Sequence, residues 1–328
     1  MRHSRVTADR AAPTVPGIVH LFPGQGDFPI SPLVRLTRPG GALRRAAVAV
    51  FEQVDQVALE HGALPLSPWL FGDRAPSGRD LDRATIGTAQ LAVFGASMAI
   101  HQALREASGE PDTVLGISFG EIASLTAAGV YSIGDGARIA YDLAVVLASC
   151  PGGMSFLACA EPVAAQLLDR PETRNVVVAC VNDSGATVVS GPVAELAALE
   201  EHAAARKVTA ARLRLPFSSH HPALVRQAET FAAAVRAYSA RQAGCVVYSA
   251  VAGRAYTPAD DLPRRLADCL IRPVRLPQVL LQAAQQRPTT FFEAGTGSAL
   301  AQSAHRVLAD RPVTVHAPLA EAFAWRSA

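Results

Sequence analysis

Lysine is all but missing from this sequence: Lys207 is the only one in 328 residues, so arginine carries the positive charge. Aromatic residues make up 6% and charged residues 18%. The longest apolar runs are broken by Gly, Ser or a charge well short of a bilayer span, which excludes a membrane-spanning helix. Residues 1–16 contain Arg and Asp but no hydrophobic signal core, so they read as a flexible tail on a cytoplasmic protein with no membrane partner. The five cysteines (Cys150, Cys159, Cys180, Cys245, Cys269) form neither CxxC nor Cys/His metal spacing, which leaves reduced, mostly buried thiols and no metal site. Thirty basic against 28 acidic residues give a net charge of +2, so no whole-molecule field points to nucleic acid. A charge-guided partner must use a local patch.

What the chain does have is 50% hydrophobic residues in 34.3 kDa, enough for one large core with a smaller lobe attached, in a soluble protein read as a monomer. Gly17 to Phe22 reads as a buried strand ending in the turn Pro23-Gly24-Gln25-Gly26. Helical periodicity follows over Ala42–His61 and Thr88–Ala107, and Thr113–Leu115 returns to strand. This alternation predicts a parallel sheet covered by helices. From Gly153 the rhythm changes to strand Met154–Ala160, helix Glu161–Leu168, strands Asn175–Val181 and Ala186–Ser190, helix Val193–Arg206 and strand Thr209–Leu215. That order is βαββαβ, the ferredoxin-like signature. The expected organisation is a tail (1–16), a large α/β part (17–152 and 217–328) and an inserted small lobe (153–216) forming one wall of a cleft.

Two segments carry chemistry. In Gly116-Ile117-Ser118-Phe119-Gly120-Glu121 a serine sits between glycines at a strand–turn–helix junction, which puts its hydroxyl at the tip of a tight turn. The amide of Phe119 would then face an oxyanion formed at Ser118. A Ser/Gly turn that merely caps a helix has the same pattern. An activated serine needs a base, and the candidates lie in Phe217-Ser218-Ser219-His220-His221-Pro222. Read by itself, that stretch is equally a surface loop with two solvated histidines.

Seven segments in order resemble the malonyl-CoA:acyl-carrier-protein transacylase family, which includes the acyltransferase domains of polyketide synthases. They are Phe22-Pro23-Gly24-Gln25-Gly26 (the family's FPGQG), Gln90 in Ala89-Gln90-Leu91-Ala92-Val93-Phe94 (QPALFA), Gly116–Glu121 (GHSxGE), and Asn182 with Val188-Val189-Ser190-Gly191. His220-His221-Pro222, Pro273-Val274-Arg275 (PVRF) and Phe292-Glu293-Ala294-Gly295-Thr296-Gly297 (FxExGPG) complete the set. The resemblance runs from about residue 17 to about residue 320. It implies an α/β fold, an α/β-hydrolase-like core with an inserted ferredoxin-like subdomain. It also implies ping-pong transfer through an acyl-Ser118 ester, with His220 as base. His220 rather than His221 keeps the family's two-residue spacing to the proline. Further implied are an oxyanion hole from the amides of Gln25 and Phe119, a buttress from Gln90, and orientation of the histidine by a main-chain carbonyl near Arg272. No cofactor is bound. Acyl groups arrive on the phosphopantetheine of an acyl carrier protein or on CoA.

The departures from the family pattern bear on substrate. Leu143 stands where dicarboxylate-using members hold the substrate's free carboxylate with an arginine, and a leucine cannot pair with a carboxylate. Ile117 replaces the histidine of GHSxGE. Phe217-Ser218-Ser219-His220 matches neither HAFH nor YASH, though it is nearer the second. Ile117, Leu143, Phe217 and Ser219 are therefore expected to line a pocket for an uncharged acyl group, with aminoacyl and starter units among the candidates. The expected protein is a discrete, trans-acting acyltransferase of a polyketide-type pathway that serves antibiotic biosynthesis. The alternatives are an editing acyl-carrier-protein thioesterase and a non-catalytic docking scaffold. Carrier proteins are acidic, so Arg206, Lys207, Arg212, Arg214, Arg272 and Arg275 are the candidate docking cations.

Overall fold

The computed structural model describes residues 17–26, 28–37, 41–72, 76–285 and 289–325. The expected tail, residues 1–16, lies outside the described residues.

The described strands are β1 (Gly17–Phe22), β2 (Thr113–Gly116), β3 (Gly153–Leu157), β4 (Val177–Asp183), β5 (Ala186–Gly191), β6 (Ala210–Arg212), β7 (Val246–Ser249), β8 (Arg254–Ala255), β9 (Val274–Arg275), β10 (Thr289–Glu293) and β11 (Val313–His316). They form two sheets. The first has the order β11-β10-β1-β2-β7-β8, parallel throughout except for the antiparallel pair β7–β8. Its central strands are apolar on both sides because both faces are covered by helices. Val19, Leu21 and Leu115 pack into one buried cluster with the helices Leu276–Ala283 and Ala299–Val307. Phe22 and Val114, pointing the other way, join a second cluster built on the helices Ala42–Glu60, Thr88–Ser108 and Ile133–Leu147. The last of these helices starts at Ser132, whose hydroxyl accepts from the Asp135 amide at 3.0 Å.

The second sheet has the order β6-β3-β5-β4-β9. β3, β5, β4 and β6 pair antiparallel, with the helices Glu161–Leu168 and Val193–Ala205 between them in sequence, so the chain runs βαββαβ here. Bounds differ from the sequence reading: β3 ends at Leu157 rather than Ala160, β4 covers Val177–Asp183 rather than Asn175–Val181, and β6 covers only Ala210–Arg212; β9, from far along the chain, adds a parallel edge beside β4. Sequence order cannot reveal a two-residue strand recruited from 274–275, since its pairing is purely tertiary.

The chain enters the β3–β6 part of the second sheet and leaves it at adjacent points, where the Ser218 amide donates to the Cys150 carbonyl at 3.3 Å, and returns to that sheet once more at β9. Gly152, with φ +113, sits at this crossing, and a Cβ there would come within 2.4 Å of Ser218 Oγ and 2.5 Å of the Gly191 carbonyl oxygen. All five cysteines are free and four are buried. No helix among the described residues is long and apolar enough to cross a membrane.

Candidate active site

The register pairs Phe22 with Gly116, so the turns leaving β1 and β2 emerge side by side at the carboxyl edge of the first sheet. Open parallel sheets form their ligand crevices at this edge. Gly24 in the first turn faces the second: a Cβ on it would sit 3.8 Å from Ser118 Cβ. Gly120 is held closer still. A Cβ there would fall 2.2 Å from the Phe22 carbonyl oxygen, so no larger residue fits without moving the helix Gly120–Ala127 off β1. Gly120→Ala is expected to lower stability by about 1–3 kcal/mol, the usual cost of overpacking. It should also slow Ser118 acylation. Urea unfolding checks the first effect, and an unchanged midpoint would contradict the packing described.

Ser118 has φ +54 and His220 φ +56, the left-handed region that residues with a Cβ seldom occupy. Such strain persists where the surroundings over-determine it, and here it aims both side chains at one another. Ser118 Oγ lies 2.7 Å from His220 Nε2 across 102 residues of sequence. On its other side His220 Nδ1 lies 2.8 Å from the Arg272 carbonyl oxygen. A carbonyl can only accept, so Nδ1 carries the proton and Nε2 is left to accept from the serine hydroxyl. Burial pushes the imidazole down to about 4, against the Arg272 carbonyl, which pulls it up. At neutral pH it is uncharged and able to take a proton.

His221 has other work. Its Nδ1 accepts from the Ala223 amide at 3.2 Å, and its Nε2 lies 2.9 Å from the Asn175 carbonyl oxygen, tying the loop to the second sheet. The histidine loop is fixed to the end of the helix Leu262–Ile271 by three main-chain acceptors: Cys269 for Ser219 Oγ, Leu270 for the His221 amide, and Arg272 for His220.

The backbone amides of Gln25 and Phe119 donate to no acceptor among the described residues, and Phe119 immediately precedes a helix N-terminus. Free amides at such a place suit a developing oxyanion. Gln90 Nε2 donates to Gln25 Oε1 at 2.7 Å and so steadies the turn after β1.

A cavity of about 940 Å³ begins at Gln25 and Gln90 and runs past residues 84–87 and the helix Ile133–Leu147 to Leu213, Leu215 and Phe217; Ser118 and His220 do not themselves line it. Of the four expected pocket residues, Phe217 lines it. Ile117 packs with the cluster on the other face of the first sheet, Ser219 is buried against the Cys269 carbonyl, and Leu143 lies in the large core. The helix Ile133–Leu147 instead turns Ala144 and Leu147 to the cavity, and Ala148 just beyond its end continues that face. One residue along a helix is a rotation of about 100°, enough to move a side chain from lining to core.

Residues 74–321 match the acyl transferase domain family. The chain belongs to that family. It is 30% identical over 306 residues to mycoketide-CoA synthase of Mycobacterium tuberculosis, a match covering 90% of this chain and 7% of that protein. It is 28% identical over 299 residues to erythronolide synthase EryA3 of Saccharopolyspora erythraea, covering 90% of this chain and 9% of that protein. The chain thus spans less than a tenth of the length of these relatives. The fold is similar to that of the acyltransferase domain of the polyketide synthase PpsC of Mycobacterium tuberculosis (TM-score 0.79, 21% identity, 93% of each chain).

Sequence reasoning gave Glu121 no role. Fully buried, it accepts from the Ser249 hydroxyl at 2.8 Å, the Val251 amide at 3.3 Å and the Tyr256 hydroxyl. Burial raises its carboxyl to about 7, while these donors lower it. The network ties the start of the nucleophile helix to the segment after β7. Its place as the last residue of the segment resembling GHSxGE, an acid followed by apolar helix residues, was the available signal.

The candidate docking cations of the acyltransferase separate into groups. Arg212 pairs with Glu200 at 2.8 Å and Arg275 with Glu161 at 2.5 Å, while Arg272 lies 3.3 Å from Asp268. Arg212 and Arg214 line the cavity, and Arg214 is exposed with no ion pair among the described residues. Arg206 and Lys207 are displaced from it. β6 runs antiparallel to β3 with Ser155 opposite Arg212 and Leu157 opposite Ala210, so residues before Ala210 lie toward the end of the sheet away from Gly152 and the crossing. These two are removed from the rim set.

Proposed function

We propose that this acyltransferase moves an acyl group from one phosphopantetheine or CoA thioester to the thiol of an acyl carrier protein through an acyl-Ser118 ester. Ser118 Oγ attacks the thioester carbonyl while its proton passes to His220 Nε2. The C–S bond breaks, and the departing sulfur takes that proton as a thiol. An incoming thiol then gives its proton to His220 and attacks the ester, and Ser118 Oγ regains the proton as the new thioester forms. The amides of Gln25 and Phe119 would hold the oxyanion in both steps. The observation that carries this reading is the 2.7 Å contact between Ser118 and a His220 whose other nitrogen is engaged by the Arg272 carbonyl.

The two sheets support a division into an α/β-hydrolase-like core, 17–152 with 217–328, and a ferredoxin-like lobe, 153–216, to which the core lends β9. Of the candidate cations, Arg212 and Arg214, which line the cavity, are the two that would meet an acidic carrier protein there; Arg272 and Arg275 lie outside its lining.

The acyl group in this proposal has no free carboxylate. Arg138, the nearest arginine on the helix bearing Leu143, donates to both oxygens of Glu60 at 2.8 Å and to Asp135 at 3.2 Å. Asp142 accepts from the Tyr238 hydroxyl at 2.8 Å. That helix offers the cavity only Ala144 and Leu147, with Ala148 beyond. A carboxylate placed against them, away from Arg212 and Arg214 elsewhere in the lining, is unpaired at a cost of a few kcal/mol, so kcat/KM for a monocarboxylic acyl thioester should exceed that for malonyl by roughly a hundredfold. A preference for malonyl would overturn the substrate assignment. For the reaction itself, acyl-loaded carrier protein is mixed with an unloaded one: transfer is expected, and free acid as the main product would mean that water is the acceptor.

A further inference from the structure

The shape of the cavity says more about the acyl group than its lack of charge. Its wall along the helix Ile133–Leu147 is made by Ala144, Leu147 and Ala148, at spacings that place them on one face. Two of the three are alanines, so this wall is set back. The segment leading into the helix Thr88–Ser108 packs on the same helix: a Cβ on Gly87 would fall 2.3 Å from the Tyr141 ring. Beside Gly87, Ile86 lines the cavity and keeps 55% of its surface exposed. Ala148 is exposed too. Apolar surface left open inside a concavity is surface that an apolar ligand would cover. The arginines of the lining, Arg212 and Arg214, come from the segment around the end of β6, whereas the helix wall is uncharged.

We propose that the cavity binds an extended apolar acyl chain whose distal end lies along Ala144, Leu147 and Ala148 beside Ile86. The inference rests on the acyltransferase reading and narrows its substrate class. Each buried methylene favours binding by about 0.8 kcal/mol, roughly fourfold, so an octanoyl group should be preferred to an acetyl group even if only some of the chain is covered.

The test is acylation of the 328-residue chain by octanoyl- and acetyl-pantetheine, followed by intact mass. The octanoyl rate should exceed the acetyl rate by at least tenfold in the wild type. Ala148→Phe, which fills the open wall, and Ile86→Asp, which charges it, should each reduce that ratio by tenfold or more. Both positions are exposed, so the fold should tolerate the changes, and the wild-type ratio needs no variant. A wild-type ratio near or below one overturns the proposal, as does a ratio that neither substitution changes. Acylation by malonyl-pantetheine but by neither of these would overturn the proposal and leave the acyltransferase reading standing, whereas acylation by none of the three would overturn that reading.

Discussion

Replacing Ser118 with alanine should reduce acyl transfer on the order of 10⁶-fold, the scale on which removing a serine nucleophile acts in other enzymes. The hydroxyl is the proposed attachment point, and no other side chain in the site substitutes for it. The fold should survive. Both serine and alanine carry a Cβ, so the strain of φ +54 is common to both, and the Gly120 contact against β1 is untouched. What is lost locally is the 2.7 Å contact to His220. Transfer assays and a melting curve check the two halves of the expectation. Residual transfer near the wild-type rate would remove Ser118 from the mechanism.

His220→Ala should slow transfer by about 10²–10⁴-fold, the usual worth of a general base. His221→Ala should leave the rate within a few-fold and cost about 1 kcal/mol of stability, as loss of an N-cap commonly does. The difference follows from what each ring touches: His220 bridges Ser118 and the Arg272 carbonyl, whereas His221 bridges the Ala223 amide and the Asn175 carbonyl. The pH dependence adds a separate check. Burial holds His220 at about 4, so the neutral, proton-accepting form persists well below the ordinary value of 6.5. The acid limb of kcat/KM for the free enzyme should therefore fall near pH 4 and be absent from His220→Ala. An acid limb near 6.5 would show that the imidazole is not buried in solution as described.

Much of this site could be read from the chain because its parts are local. The turn after β1, the Gly116–Glu121 elbow and the histidine loop are short motifs; read alone, the last two were equally a helix cap and a solvated loop, and the ordered resemblance of seven segments to the transacylase family is what joined them into one site. The central helices were legible in short windows, since burial on one face leaves a 3.6-residue period. What escaped depends on contacts that no short window contains. β9 pairs with β4 across some ninety residues, and the donors to Glu121 come from 249–256. The pocket was the hardest part. Which face of the helix Ile133–Leu147 meets the cavity is decided by how that helix packs on Thr88–Ser108 and Ala42–Glu60, so an expectation built on Leu143 fell one residue from Ala144.

Peptide mapping of the acyl-enzyme tests the central claim most directly. Wild-type protein is exposed briefly to an acyl thioester, quenched in acid and digested, and the acylated peptide is fragmented to locate the added mass. The expected result is a single acyl group on Ser118 that disappears when a carrier-protein thiol is added before the quench. An acyl group found on another residue, or an acyl-Ser118 that the thiol cannot discharge, would contradict the proposed transfer.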